Sequence, residues 1–391
     1  MRFLILNTDY PEFLTWLYAQ NPGVEKTSYD EQLRVRMESL FGVADFYSRN
    51  LRSLGHEACD IHANNERLQR AWAREHGLRM PVSETANPRW QTTELLSAVN
   101  APLRRAVRMA RPLLQLVHGS TYPRWFHDVL EAQIEFYRPD VLLNQDMAID
   151  RRFLRAIKPR LRLLVGQHAA TRLDESDWSC YDVVISSFPP TLEFFRRRGI
   201  AAELSRLAFE PRVLSESPTT DRPFDVSFVG SFHKVHESRT ELLELVARHF
   251  PELRVWGPGL QSLGTHSPIR ASYQGQAWGR QMYQVFGRSK IVLNHHGDVA
   301  PSANNLRLFE ATGMGALLLT DWKENLSEMF EPDKEVIAYR STEECIQLLS
   351  RYLQNDQRRA GIAGAGQERT LKEHTYLQRM EEIVGIVQRY L

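Results

Sequence analysis

Cysteine and long apolar runs are what this sequence has least of. Its 391 residues contain only three cysteines, Cys59, Cys180 and Cys345, which are odd in number and widely spaced. Neither a disulfide framework nor a metal site of the Cys-x2-Cys kind is therefore expected. No apolar run approaches the roughly 20 residues that a membrane-spanning helix needs. The N-terminal apolar run turns polar at Asn7, too early for a signal peptide. These absences predict a soluble cytoplasmic protein.

An excess of charge of one sign is also missing. The 49 lysines and arginines are balanced by 48 aspartates and glutamates. Because a dedicated nucleic-acid binder carries a basic surface, no nucleic-acid partner is expected. A local exception is the run 102–112, where arginines alternate with apolar residues. We interpret this run as a solvated cationic helix face; the alternatives are peripheral contact with an anionic membrane and contact with an acidic acceptor.

What the chain does have is an alternation of short apolar runs with helical patterns, which is typical of parallel α/β sheets. The first predicted strand is Arg2–Leu6, further strands are predicted at 140–144, 161–168 and 181–187, and a helical pattern covers 30–54. A polar, proline-bearing passage interrupts the alternation at 210–223. A chain of this length is expected to form two domains. We place one Rossmann-like domain at 1–212, a second at 223–371 and a final amphipathic helix over 372–391.

The most informative stretch lies between two buried-strand patterns, Lys290–Asn294 and Ala316–Thr320. A crossover helix is predicted there, starting at Ser302 as N-cap. Arg307 and Glu310 fall about 60° apart on this helix. They either form an ion pair with each other at i, i+3 spacing or bind a ligand. In the second case the positive helix end would hold a nucleotide diphosphate, and Glu310 would accept hydrogen bonds from a ribose or sugar diol.

The run Asn304-Asn305-x-Arg307-x-Phe309-Glu310-x-x-Gly313-x-Gly315, followed by a strand and Asp321, resembles the signature of the "glycosyl transferases group 1" superfamily. Within it the sequence is most similar to the branch named after the spore maturation protein CgeB. The resemblance implies the GT-B architecture, in which two Rossmann-like domains face each other across a cleft. It implies that the first domain holds the acceptor and the second the donor, and that the final helix crosses back to pack on the first domain. It also implies that Glu310 binds the donor ribose. Many members carry another Glu eight residues earlier, where this chain has Ser302.

The resemblance and the predicted strand ends together define a candidate donor site. Arg239, in the first turn of the helix after Gly230, is implied to neutralise the departing diphosphate. The turn 275–278 is implied to read the nucleobase. The run His295-His296-Gly297-Asp298 indicates either a metal site or a phosphate-facing loop. The metal site is disfavoured, because neighbouring side chains of an extended chain point to opposite faces and seldom bind one ion. The predicted donor-site residues are Gly230, Ser231, Arg239, Gly275, Ala277, His296, Gly297, Asn304, Asn305, Arg307 and Glu310.

An inverting transferase also needs a general base near the acceptor. His168, Asp9 and Asp146 each follow a predicted strand of the first domain, where the chain should face the cleft. We choose His168 first, because its ordinary pKa lies nearest neutrality. The alternative for each is a structural role, and a retaining mechanism would need no such base.

The favoured function is a hexosyl-type glycosyltransferase of polysaccharide or glycoconjugate biosynthesis. It would move a sugar from a nucleoside-diphosphate sugar to a glycan, a protein or a small molecule. No metal or other cofactor is expected, because helix dipoles and a basic side chain can stabilise the diphosphate and no clear Asp-x-Asp motif is present. Two alternatives stay open: a nucleotide-sugar epimerase or phosphorylase on the same fold, and a non-catalytic nucleotide- or glycan-binding subunit.

Overall fold

The structure is a computed structural model that describes residues 1–81, 122–169, 173, 177–218, 221–232, 237–296 and 302–391. The basic run 102–112 and Gly297 lie outside these residues. Among the helices of these ranges, none has both the length and the hydropathy needed to traverse a bilayer.

The first domain is built on a six-stranded parallel sheet with the order β2-β1-β3-β4-β5-β6. Its central strands are buried along almost their whole length, as expected for a parallel sheet covered on both faces. The strands are β1 Arg2–Asn7, β2 Glu57–His62, β3 Val141–Asn144, β4 Leu163–Gln167, β5 Val183–Ser186 and β6 Ala201–Leu204.

Helices connect these strands in the way a doubly wound sheet requires. They are α1 Pro11–Gln20, α2 Tyr29–Glu38, α3 Phe46–Ser53, α4 Glu66–Glu75, α5 Arg124–Tyr137, α6 Arg151–Ile157, α7 Pro189–Arg196 and α8 Arg212–Glu216, with short 3-10 turns at Val24–Lys26 and Lys158–Arg160.

The helical pattern over 30–54 is two helices rather than one. A turn separates α2 from α3, with positive φ at Leu40, Gly42 and Ala44 (59°, 63° and 38°). Leu40 and Ala44 are fully buried, so core packing holds a backbone conformation that their side chains disfavour. Because the chain turns here, Phe41 projects toward the second domain instead of lying along a helix.

The second domain is a five-stranded parallel sheet with the order β11-β10-β9-β7-β8. Its strands are β7 Phe224–Val229, β8 Leu253–Trp256, β9 Ser289–Leu293, β10 Leu317–Asp321 and β11 Ile337–Tyr339. Its helices are α9 Glu237–His249, α10 Ile269–Ser272, α11 Arg280–Gly287, α12 Arg307–Gly313 and α13 Thr342–Leu353, with 3-10 turns at Leu260–Ser262 and Leu326–Glu328.

The crossover helix between β9 and β10 is shorter than predicted. It begins at Arg307 rather than after Ser302. The segment before it is held by side chains instead: the amide of Ala303 donates to Asn325 Oδ1, and the Nδ2 group of Asn305 donates to Asn294 Oδ1. The amide of Ala303 and the side chain of Asn305 thus find hydrogen-bond partners outside a helix. Ser302 is therefore no N-cap.

Two helices end the chain, α14 Asp356–Glu373 and α15 Tyr376–Tyr390. One glycine of α14 lies where the helix packs closely on the backbone of the second domain. A Cβ on Gly366 would come 2.3 Å from the carbonyl oxygen of Glu335, so this glycine permits close packing. The last helix buries Met380, Ile383 and Val387 and packs on α3 of the first domain.

The two places where the chain passes between the domains are bonded to each other. The amide of Phe209 donates to the carbonyl of His374, and the amide of Tyr376 donates to the carbonyl of Phe209. The Tyr376 ring then lies 5.1 Å from that of Phe46, between ring centroids. This paired crossing fixes where the two sheets meet.

Asp60 gives the fold a testable pH dependence. Its side chain is buried between β1 and α3 and accepts hydrogen bonds from Asn7 and Ser48. Burial raises its pKa to about 7. Because the folded state holds this proton more tightly, stability falls as pH rises from about 4 to about 7 by about 1.4 kcal/mol per unit.

We therefore expect Asp60→Asn to gain stability relative to the parent chain as pH rises through that range. Urea denaturation at pH 5 and pH 8 measures the difference. A difference between the two chains that stays the same at both pH values would contradict the assignment.

Candidate functional site

A gap between the two domains holds two adjoining cavities of about 430 and 300 Å³. Their walls come from the loops after β1, β7, β8 and β9, so the carboxyl ends of both sheets face this gap. We call the larger one the aromatic cavity and the smaller one the charged cavity. They share the residues Tyr10, Phe41, Val229, Gly230, Met282 and Arg307.

The aromatic cavity is walled by rings from both domains. The Phe41 ring centroid lies 6.1 Å from that of Tyr10 and 4.8 Å from that of Trp278, the second pair edge to face. Phe13 packs beneath, 4.4 Å from Phe41. Ala277 lines the same cavity, so one predicted base-reading position does reach the gap.

Two glycines let backbones approach closely around this cavity. A Cβ on Gly257 would come 1.9 Å from the carbonyl oxygen of Gly230, and one on Gly279 would come 1.9 Å from that of Ser39. Gly279 has φ +49° and precedes Arg280, whose amide donates to the same Ser39 oxygen at 2.8 Å. The second contact joins the two domains at the lip of the gap.

The charged cavity contains the pair singled out by sequence. Arg307 Nη1 donates to Glu310 Oε2 at 2.6 Å, and its Nη2 donates to the carbonyl of Val229 at 2.9 Å. The phenol of Tyr283 also hydrogen-bonds Glu310. Burial raises the pKa of Glu310 and lowers the pKa of Arg307. The i, i+3 pairing is thus present, and both side chains still line the cavity.

Arg239 lies across the same cavity from the pair. Its Nη2 donates to the carbonyl of His295 at 3.0 Å. The ring of His295 is held by Ser238 Oγ at its Nε2 and by Asp321 Oδ2 at its Nδ1, 3.1 and 3.2 Å away. His295 also lines the cavity. Arg239 is therefore fixed at the end of β9, in the same cavity as Glu310.

The other predicted donor residues divide between the gap and its surroundings. Asn305 lines the charged cavity and Ser231 the aromatic one. Asn304 points the other way, accepting from Ser187 Oγ and donating to the carbonyl of Ala169 in the first domain. Gly275 and His296 do not line either cavity.

His296 is instead fixed by one carboxylate. Its amide and its Nδ1 both contact Asp321 Oδ1, at 2.9 and 2.7 Å. Lys323 Nζ lies 3.2 Å from the other oxygen of that carboxylate. In the part of the chain that the structure describes, no three His, Cys, Asp or Glu side chains are grouped so as to hold a metal ion.

On the first domain, the Asp9 side chain is enclosed by neighbouring side chains and does not line either cavity of the gap. Arg36 Nη2 donates to its Oδ1 at 2.6 Å, and His62 Nδ1 lies 3.0 Å from its Oδ2. Its side chain is 2% exposed, and these partners hold its pKa well below the usual value despite burial. A carboxylate so engaged is not available to an incoming acceptor.

His168 follows β4, and Asp146 follows β3. The amide of His168 donates to the carbonyl of Ile185, and the next residue is Ala169, which Asn304 contacts. His168 thus lies at the interdomain contact beyond the charged cavity and not in its lining. Asp146 accepts from the phenol of Tyr122.

Sequence reasoning missed several residues of the gap. Tyr10 and Glu12 follow the end of β1, a position that already pointed to the cleft, and could have been found there. Phe41 and Met282 carry no comparable signal, since their place depends on how the domains pack.

Residues 238–385 match the model of a family described as "Glycosyl transferase-like". That match includes nearly all of α9, the charged-cavity residues Arg239, Arg307 and Glu310, and most of the two final helices. Among curated proteins, no sequence matches that of this chain.

Solved structures extend the likeness to the whole chain. A glycosyltransferase from Rickettsia africae aligns over 100% of this chain and 98% of its own, with 9% identity and a TM-score of 0.56. HepE from Anabaena, solved with UDP-glucose, aligns over 100% of both chains, with 11% identity and a TM-score of 0.55.

This chain has the GT-B fold. The predicted architecture is thereby confirmed, with two parallel-sheet, Rossmann-like domains. The chain spans 60% of the pneumococcal O-GlcNAc transferase GtfA, at 13% identity and a TM-score of 0.47.

The Arg307–Glu310 pair predicts a difference between two substitutions. Glu310→Ala leaves a buried guanidinium without its carboxylate, and we expect a loss of about 3–5 kcal/mol in the free energy of unfolding. Glu310→Gln keeps the shape and an acceptor oxygen, so its loss should be smaller. Urea denaturation of both variants tests this. Equal losses would mean that the carboxylate charge, which both substitutions remove, carries the whole effect, and no loss in Glu310→Gln would mean that packing of the side-chain stem carries it.

Proposed function

We propose that this chain is a glycosyltransferase that takes a hexose from a nucleoside-diphosphate sugar, and that it belongs to the CgeB-like branch. The observation that carries the proposal is the composition of the gap. One end is aromatic, the other holds Arg239 and Glu310, and Arg307 lines both. A nucleoside diphosphate has the same polarity, with a flat base at one end and charged oxygens at the other. The match of 238–385 to a glycosyl transferase-like family supports this assignment.

In the proposed reaction the second domain holds the donor and the first holds the acceptor. Arg239, fixed against His295, neutralises charge that develops on the departing diphosphate. Glu310, held in the cavity wall by Arg307 and Tyr283, accepts hydrogen bonds from the ribose. The GT-B neighbour HepE, solved with UDP-glucose, is consistent with a donor bound in this cleft.

The acceptor is a glycan, a protein or a small molecule, and the reaction takes place in the cytoplasm during polysaccharide or glycoconjugate synthesis. His168 is the proposed general base if the reaction inverts configuration. It follows β4 at the carboxyl edge of the first sheet, beside the contact between Ala169 and Asn304. No metal ion is proposed to take part, since a fixed guanidinium can supply the charge.

A panel of UDP-, GDP-, ADP- and dTDP-sugars, each with and without glycan acceptors, tests the function. We expect release of nucleoside diphosphate that depends on the acceptor and continues in EDTA. Tight binding without turnover would support a non-catalytic binding subunit, and conversion of the sugar without an acceptor would support an epimerase. Activity lost in EDTA and restored by Mg²⁺ or Mn²⁺ would overturn the metal-free mechanism.

Arg239→Ala tests the role of the guanidinium. If the charge acts on the leaving group, kcat should fall by about 10²–10³-fold with little change in KM. Arg239→Lys should recover part of the loss. Arg248→Ala is the matched control, because Arg248 is exposed in the last turn of the same helix. A rise in KM with kcat unchanged would show that Arg239 binds the ground state instead.

A further inference from the structure

The first domain supplies one wall of the aromatic cavity through the turn between β1 and α1. Tyr10 and Glu12 of this turn both line the cavity, opposite Gly257, Pro258 and Ala277 of the second domain. Tyr10 is 65% exposed, which is a large exposed area for an aromatic side chain inside a cleft. A ring in this position is available to stack on a flat ligand.

Glu12 differs from the other carboxylate of the gap. Glu310 is paired with Arg307, whereas Glu12 makes no side-chain hydrogen bond and no ion pair with any residue in the described ranges. It is half-buried in the aromatic cavity, which Arg307 also lines, whereas Arg239 and Glu310 line only the charged cavity. An unpaired carboxylate beside a ligand site favours a ligand that presents hydrogen-bond donors there.

The requirement for hydrogen-bond donors on the ligand distinguishes between the nucleobases. An ionised carboxylate only accepts hydrogen bonds. The Watson–Crick edge of guanine presents two neighbouring donors, N1–H and the N2 amino group, which match its two oxygens. Uracil presents one N–H between two carbonyl oxygens that a carboxylate would repel. Adenine and cytosine each place a ring lone pair beside their amino group.

We propose that the donor carries guanine, held by the Glu12 carboxylate at its N1–H and N2 amino group and by the Tyr10 ring at its face. The inference rests on the proposed function, because it names the base of the same donor. It also assigns base recognition to both domains, so that a bound nucleotide bridges Glu12 of the first and Ala277 of the second.

Titration calorimetry with GDP, IDP and UDP tests the proposal on the full chain. GDP should bind most tightly, and IDP, which lacks only the N2 amino group, should bind about tenfold more weakly. Glu12→Gln should weaken GDP binding by about ten- to a hundredfold and change UDP binding little. The matched control is Glu241→Gln, at a carboxylate that lines a different cavity beside Asp321 and Trp322.

A second pair of variants tests the ring. Tyr10→Leu should weaken all three nucleotides by a similar factor of about ten, because stacking does not depend on the identity of the base. Tyr10→Phe should retain binding. Thermal melting of each variant shows whether the fold is kept.

The outcomes distinguish failure of guanine recognition from failure of the proposed function. If UDP binds at least as tightly as GDP, or if Glu12→Gln weakens all nucleotides equally, guanine recognition is overturned while nucleotide binding stands. If no nucleotide binds the parent chain, the proposed function fails and the inference fails with it.

Discussion

The buried pair of Arg307 and Glu310 is the interaction on which the site depends. Arg307 reaches the carbonyl of Val229 at the end of β7, packs its guanidinium 4.4 Å from the centroid of the Phe286 ring and bonds Glu310. It therefore ties together a strand end, a neighbouring helix and its own short helix. Removing a charge from such a setting leaves its partner desolvated and unpaired, which costs several kcal/mol. Because a buried charge needs its partner, the ion pair itself keeps Arg307 and Glu310 at the floor of the gap, in addition to any contact that a ligand makes.

The second constraint is the way the domains touch. At the back, the paired bonds of Phe209, His374 and Tyr376 fix the crossing of the chain. At the lip, Gly279 and Ser39 meet at backbone distance, and the Phe41 and Trp278 rings pack beside them. The gap between these contacts receives its aromatic wall from both domains. A ligand there would be recognised by residues that are hundreds of positions apart in sequence, which explains why local patterns did not reveal them.

Sequence patterns predicted the elements well where burial alone decides them. The apolar runs at 141–144, 163–167 and 183–186 became central strands, because a strand covered on both faces has to be apolar throughout. Two boundaries were wrong for a shared reason. The helix expected over 30–54 is broken at Leu40, and the one expected from Ser302 begins at Arg307. In both segments tertiary contacts bind the backbone more favourably than a continuous helix would.

The sequence by itself determined that this is a two-domain parallel α/β chain, and it singled out Arg239, Arg307 and Glu310. Periodicity and strand-end positions are local properties, so they can be read along the chain. Only the tertiary structure decided that Asp9 is enclosed by Arg36 and His62, that Asn304 points away from the cavity that Asn305 lines, and that Tyr10 and Glu12 line the same cavity as Trp278. Those facts depend on which surfaces the two domains bury against each other, and no spacing along one strand or helix encodes that choice.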